Sequence, residues 1–207
     1  MKRHLLWRLV LLLAVVVFLL MYSVIHETGH ILALKAFGAW GHGGALLLPL
    51  PGQVPHVSGD PSAHLQGWQI AVTAMLGPLL PTLFGYLSFA FWVSPFGRRR
   101  RSQSQRVELI WSLFMIMMLL PQAVPAPMLF PSVVHDRDYS LLVQNVGQSP
   151  WLANAAVAMV AVVNAALVAW VGRNFILRLR SIANQQRRGN GNQNMSSDPN
   201  RTPQTGS

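Results

Sequence analysis

From Leu9 to Ile25 the chain runs seventeen residues without a charge, with only Tyr22 and Ser23 as polar interruptions. Four apolar stretches meet or approach the roughly 20 residues that a helix rising about 1.5 Å per residue needs to cross a hydrocarbon core about 30 Å thick. They are Leu5 to Ile25, Trp68 to Val93, Val107 to Leu120 and Trp151 to Val171. The third is short and runs into Pro121, Pro125 and Pro127, so irregular backbone buried inside a bundle would complete it. The pattern predicts an all-α integral membrane protein of about four transmembrane helices.

Between the runs the pattern changes character. ILALKAFGAW stays apolar and helix-compatible to about Phe37, where Gly38 opens a segment, 38–66, that holds six glycines and four prolines and excludes a helix over most of its length. Within it ALLLPL is too short to span and too apolar for an exterior loop, which predicts a re-entrant strand or hairpin dipping into the outer leaflet. The second run contains GPLLP at 77–81, whose two prolines each remove a helix hydrogen bond and predict a kink. From Ser181 onward large apolar residues nearly vanish. A membrane-embedded domain over 1–180 followed by a disordered cytoplasmic tail over 181–207 is the expected organisation, with no internal repeat. The basic start and apolar run of the N-terminus lack a small-x-small cleavage site and read as a retained anchor.

Composition agrees with immersion in lipid: 52% of residues are hydrophobic and 11% charged. The net charge of +10 raises the question of nucleic acid, but the placement of the basic residues argues against that partner. Fourteen of the sixteen lie before the first run, between the second and third, or after the fourth. With four spans these segments share one side, which the positive-inside rule makes cytoplasmic for both termini. Basic residues beside anionic lipid then account for the charge. Cysteine is absent, so any bound metal has nitrogen and oxygen ligands.

The chemistry concentrates in HETGH, residues 26–30. Residues i and i+4 stand on one helix face, so His26 and His30 can direct ring nitrogens at one point, where zinc accepts them at about 2.0 to 2.1 Å. Glu27 stands beside the first of them, placed to take a proton from water held by the metal and pass it to a leaving amine. Three ionisable residues within five positions are costly near a membrane span, at about 2.5 to 3.5 kcal/mol for a charge at its centre. A catalytic zinc takes three protein ligands. Candidates for the third are Asp138, Asp136 and His135, all in HDRD after the third run; His42, His56 and His64 read as polar loop residues. On the expected topology all of these gather on the outer face.

HETGH late in a membrane helix, GPLLPTLFGYL in the next span and an aspartate after the third together resemble the site-2 protease family of intramembrane zinc metallopeptidases. The likeness covers roughly residues 20–142. It implies that His26, His30 and a distant aspartate bind Zn2+, that Glu27 is the catalytic base, and that 38–66 is the counterpart of a hairpin that helps to receive substrate. DYSLL, which begins at Asp138, resembles the aspartate and leucine-rich turn of divergent members and favours that residue over Asp136. Two features depart from the family: Pro81 stands where its second motif has Asn, and the Asp-Gly pair that usually marks the third ligand is absent. The expected function is hydrolysis of peptide bonds in a membrane-embedded protein or peptide substrate, with a bacterial inner membrane as the expected location. The alternatives are an inactive metal-binding relative acting as a scaffold or regulator, and a metal-handling membrane protein.

Overall fold

The computed structural model describes the backbone of residues 2–48, 55–97, 104–124, 137–145 and 150–196, with side chains at 6–48, 55–97, 104–124, 138–145 and 151–184. The chain is predominantly helical. Helix α1 spans Lys2–Ala36, α2 Gly67–Val93, α3 Gln105–Leu119, α4 Arg137–Asn145 and α5 Pro150–Ser196; strands β1, Gly44–Leu46, and β2, His56–Ser58, lie between α1 and α2.

Three helices are long and apolar enough to cross a membrane: Leu6–Ala36 of α1, Gly67–Val93, and Trp151–Asn184 of α5. At about 1.5 Å per residue, the 15 residues of α3 reach about 22 Å, short of a hydrocarbon core of about 30 Å. A 3-10 turn, Leu120–Gln122, extends it, with Pro121 in a first-turn position where its missing N–H costs nothing. Leu9, Leu12, Leu13 and Val16 of α1 and Met159, Val162 and Val163 of α5 are exposed. Lipid is the surrounding that such a surface matches.

The bundle core is built by the helices that follow the first loop. Trp92, Met115 and Val171 are buried together with Phe89, Trp111 and Ile116 around them, and Trp92 meets Trp170 edge to face at 5.3 Å between centroids. Asn164, fully buried in α5, accepts a 2.7 Å hydrogen bond from the Tyr86 hydroxyl of α2. At one end of the bundle the Arg178 Nε lies 3.0 Å from the Glu108 carboxylate, which is only 5% exposed. The Arg106 guanidinium sits over the Trp7 ring at that same end. The start of α1, the start of α3 and the later part of α5 thus converge, and with them Arg106 and Arg178.

Helix α1 stops at Gly38, whose φ of 69° is the left-handed conformation of a Schellman cap. Ala39 N–H reaches Leu34 O at 2.7 Å and Gly38 N–H reaches Lys35 O at 3.1 Å. The chain then turns back along α1 as the hairpin, antiparallel, with Gly44 opposite Ser58, Ala45 opposite Val57 and Leu46 opposite His56. Two anchors hold it to α1: the Ser23 hydroxyl donates to Leu47 O at 3.0 Å, and Gly59 packs against Leu34. The segment thus holds an antiparallel strand pair; residues 49–54 between the strands lie outside the described residues.

Two features of the long helices add to the sequence reading. Pro78 and Pro81 lie inside α2, which runs on as helix past both; the Thr82 hydroxyl adds a 2.9 Å bond to Pro78 O. The backbone of α5 stays helical to Ser196, past the disordered tail expected from 181. Loss of apolar residues ends burial but not helix, because Arg, Ala and Gln are good helix formers; residues 197–207 lie outside the description.

Candidate metal centre

Three ligand-type atoms from two distant parts of the chain meet at one point. Asp138 Oδ2 lies 3.0 Å from His26 Nε2 and 3.1 Å from His30 Nε2, and the two nitrogens are 3.3 Å apart. It is a group of three suited to holding a metal ion among the described residues. Zinc ligands at about 2.0 to 2.1 Å in tetrahedral array stand about 3.3 Å from one another, so these spacings match one face of such a tetrahedron.

The protonation pattern points the same way. His30 Nδ1 is 2.7 Å from Thr73 O, an atom that can only accept, so Nδ1 carries the hydrogen and a neutral His30 turns the lone pair of Nε2 toward the other two atoms. Three electron-rich atoms within 3.3 Å repel unless a cation lies among them. Donation of the second ring nitrogen to a backbone carbonyl is also what orients metal-bound histidines. With no metal between them the imidazoles of His26 and His30 would have to donate to Asp138 instead; burial alone would raise its carboxyl, but that donation outweighs burial and holds the group well below the usual carboxylate range. Its side chain is therefore an anionic donor. Among the described residues, His26 Nδ1 is buried without a partner.

Each donor has a structural reason for its position. His26 and His30 share a face of α1 because they are four residues apart, with ring centroids 5.0 Å apart. That face meets α2 at two glycines. A Cβ on Gly29 would stand 2.2 Å from Leu76 O, and one on Gly77 would stand 2.2 Å from His30 Nε2. Only at Gly29 and Gly77 can the helices come close enough for His30 to reach Thr73 O. Gly29 thus serves helix contact.

Asp138 is brought in by α4. The neighbouring Tyr139 donates its hydroxyl to Asn154 Oδ1 of α5 at 2.6 Å, and Asn145, at the other end of α4, packs against Gly67 at the start of α2. Replacing Tyr139 with Phe removes the hydroxyl and little else. Loss of such an outer contact to a ligand-bearing segment lowers metal affinity by about 10- to 100-fold; competition with a chelating dye reads that change, and an unchanged affinity would show that α4 is held by packing alone.

Of the sequence candidates, His26, His30 and Asp138 come together, whereas Asp136 and His135 lie outside the described residues. Glu27 is buried, 6% exposed, within electrostatic range of His26, His30, Asp138 and His56. His42 and His64 are exposed and outside the cluster; the His42 N–H bonds to Asp60 instead. Thr73 and Asn154 had no role in the sequence reading, and Gly77 and Tyr139 entered it only as members of motifs. The asparagine, a polar residue in an apolar run, was the one signal available for them. Comparisons with family models, with curated proteins and with solved structures give no match.

Proposed function

We propose that this chain is an intramembrane metallopeptidase of the site-2 protease type, with about four spans and its hairpin re-entrant from the outer side. Its termini are cytoplasmic and its membrane is a bacterial inner membrane. The observation that carries the reading is the convergence of His26, His30 and Asp138 beside a buried glutamate. These three side chains would hold zinc, which when bound polarises a carbonyl and makes water a better nucleophile near neutral pH. Glu27 is the group that takes the proton from the attacking water and returns it to the departing amine. Asp138 and the imidazoles, fixed by Tyr139 and by Thr73 O, keep their donor atoms aimed without rearrangement.

A substrate helix in lipid has its carbonyls engaged in its own hydrogen bonds, so it must unwind before attack. The β1/β2 hairpin, lying along α1 beside the buried glutamate, offers strand edges to an unwound segment. The meeting of Arg106 and Arg178 at one end of the bundle supports cytoplasmic termini. An inactive metal-binding relative is the second reading, favoured by one observation: Pro81 occupies the place of the family's Asn.

Metal analysis and cleavage measured on the same samples test the proposal. Purified protein is expected to hold about one zinc per chain, the occupancy of a single three-ligand site, and to cut a transmembrane peptide. Asp138→Ala is expected to lose both metal and cleavage. Metal with no cleavage by the unaltered protein would select the inactive relative; a metal content unaffected by Asp138→Ala would remove Asp138 from the site.

A further inference from the structure

The hairpin lies at a definite height along α1. Its lower anchor is Ser23, bonded to Leu47 O, and its upper anchor is Leu34, packed on Gly59. Eleven residues of helix at about 1.5 Å each cover about 16 Å, and the four steps of strand from 55 to 59 at about 3.3 Å each cover about 13 Å, so strand and helix run side by side between those anchors. Leu46, the residue before the lower anchor, pairs with His56. His56 is thereby level with the turn of α1 that follows Ser23. Ser23 and Glu27, four residues apart, share the face of α1 that the hairpin covers. The Glu27 carboxylate is within electrostatic range of His56, and the His56 side chain is exposed.

We infer that His56 is a further catalytic residue, one that donates an N–H hydrogen bond from the hairpin to the oxygen of the scissile carbonyl while Glu27 handles the proton of the attacking water. The inference rests on the peptidase reading and adds to it a donor carried by the hairpin. A donor placed where negative charge develops acts mainly in the transition state, so it governs turnover more than binding.

The test uses full-length, zinc-loaded protein and a panel of transmembrane peptides, leucine-alanine helices weakened by an Asn-Gly pair at different depths. His56→Ala is expected to lower kcat by about 10²-fold with KM nearly unchanged, as for removal of one oxyanion donor. His56→Gln, which keeps an N–H donor, is expected to recover much of that loss, and both variants are expected to keep full metal content. A second readout needs no turnover. The chain contains no cysteine, so His56→Cys in a Glu27→Gln background reports proximity through disulfides to single cysteines placed along the peptide. Disulfides require Cβ atoms about 3.5 to 4.5 Å apart, and they are expected only beside the bond that the unaltered protein cuts. Full turnover in His56→Ala, loss of metal in that variant, a Gln variant no better than Ala, or disulfides spread along the peptide would each overturn the role of His56. Failure of the unaltered, zinc-loaded protein to cut any peptide of the panel would instead overturn the peptidase reading, and the inference with it.

Discussion

Glu27→Gln is expected to lower peptide cleavage by about 10²- to 10⁴-fold, the usual contribution of a general base, while leaving metal content unchanged. The substitution is nearly isosteric and leaves His26, His30 and Asp138 in place, so the 3.0 to 3.3 Å triangle of donor atoms survives. What disappears is a carboxylate able to accept a proton inside a pocket where it is 6% exposed. Single-turnover cleavage of a transmembrane peptide, with zinc measured on the same sample, reads the result. Cleavage retained with zinc in place would assign the base to another group, and zinc lost would make Glu27 a ligand or support rather than a base.

The second large effect is expected at a residue with no chemistry of its own. In Gly29→Ala the new methyl would stand 2.2 Å from Leu76 O and 2.7 Å from Leu76 C, both backbone atoms that no rotamer change can move. Helix α1 must withdraw from α2, and overpacking of this kind costs about 1 to 3 kcal/mol. Withdrawal also pulls His30 Nδ1 from Thr73 O, now 2.7 Å away, and loss of such an orienting contact weakens metal binding by about 10- to 100-fold. Gly77→Ala is expected to act more directly, because its methyl would occupy the place of His30 Nε2 itself. Gly172→Ala is the control: nothing lies within 4 Å of the added carbon, and at a helix-interior site Ala is favoured over Gly by about 1 kcal/mol. Zinc affinity and thermal unfolding in detergent distinguish the three. Normal zinc affinity in Gly29→Ala would show that the helix contact does not hold the ligands.

The part of the site written in the sequence is the part that depends on local periodicity. His26, Glu27 and His30 follow from a four-residue spacing in a helix that the apolar run already demands. Asp138 could be narrowed to a short acidic stretch but not separated from Asp136, because the phase of a nine-residue helix is set by what it packs against, here Asn154 and the start of α2. His56 looked like a loop residue because its relevance comes from strand register and from the Ser23 anchor, neither of which leaves a pattern in composition. Gly77 was legible only as part of a proline-containing motif; its closeness to His30 is a fact of helix pairing. The apolar pattern marked the three long helices, whereas the helical backbone of α5 runs on past its apolar residues, since hydropathy reports burial in lipid and helix formation obeys other preferences.

The prolines of α2 bear on how the molecule is made. Having no N–H, Pro78 and Pro81 cannot bond to the carbonyls of Ala74 and Gly77, so this helix in lipid is less self-sufficient than its neighbours. One turn earlier, the carbonyl of Thr73 receives a donor from α1 through His30. Synthesis delivers α1 to the bilayer before α2, so the weaker segment emerges beside the helix that supplies that donor.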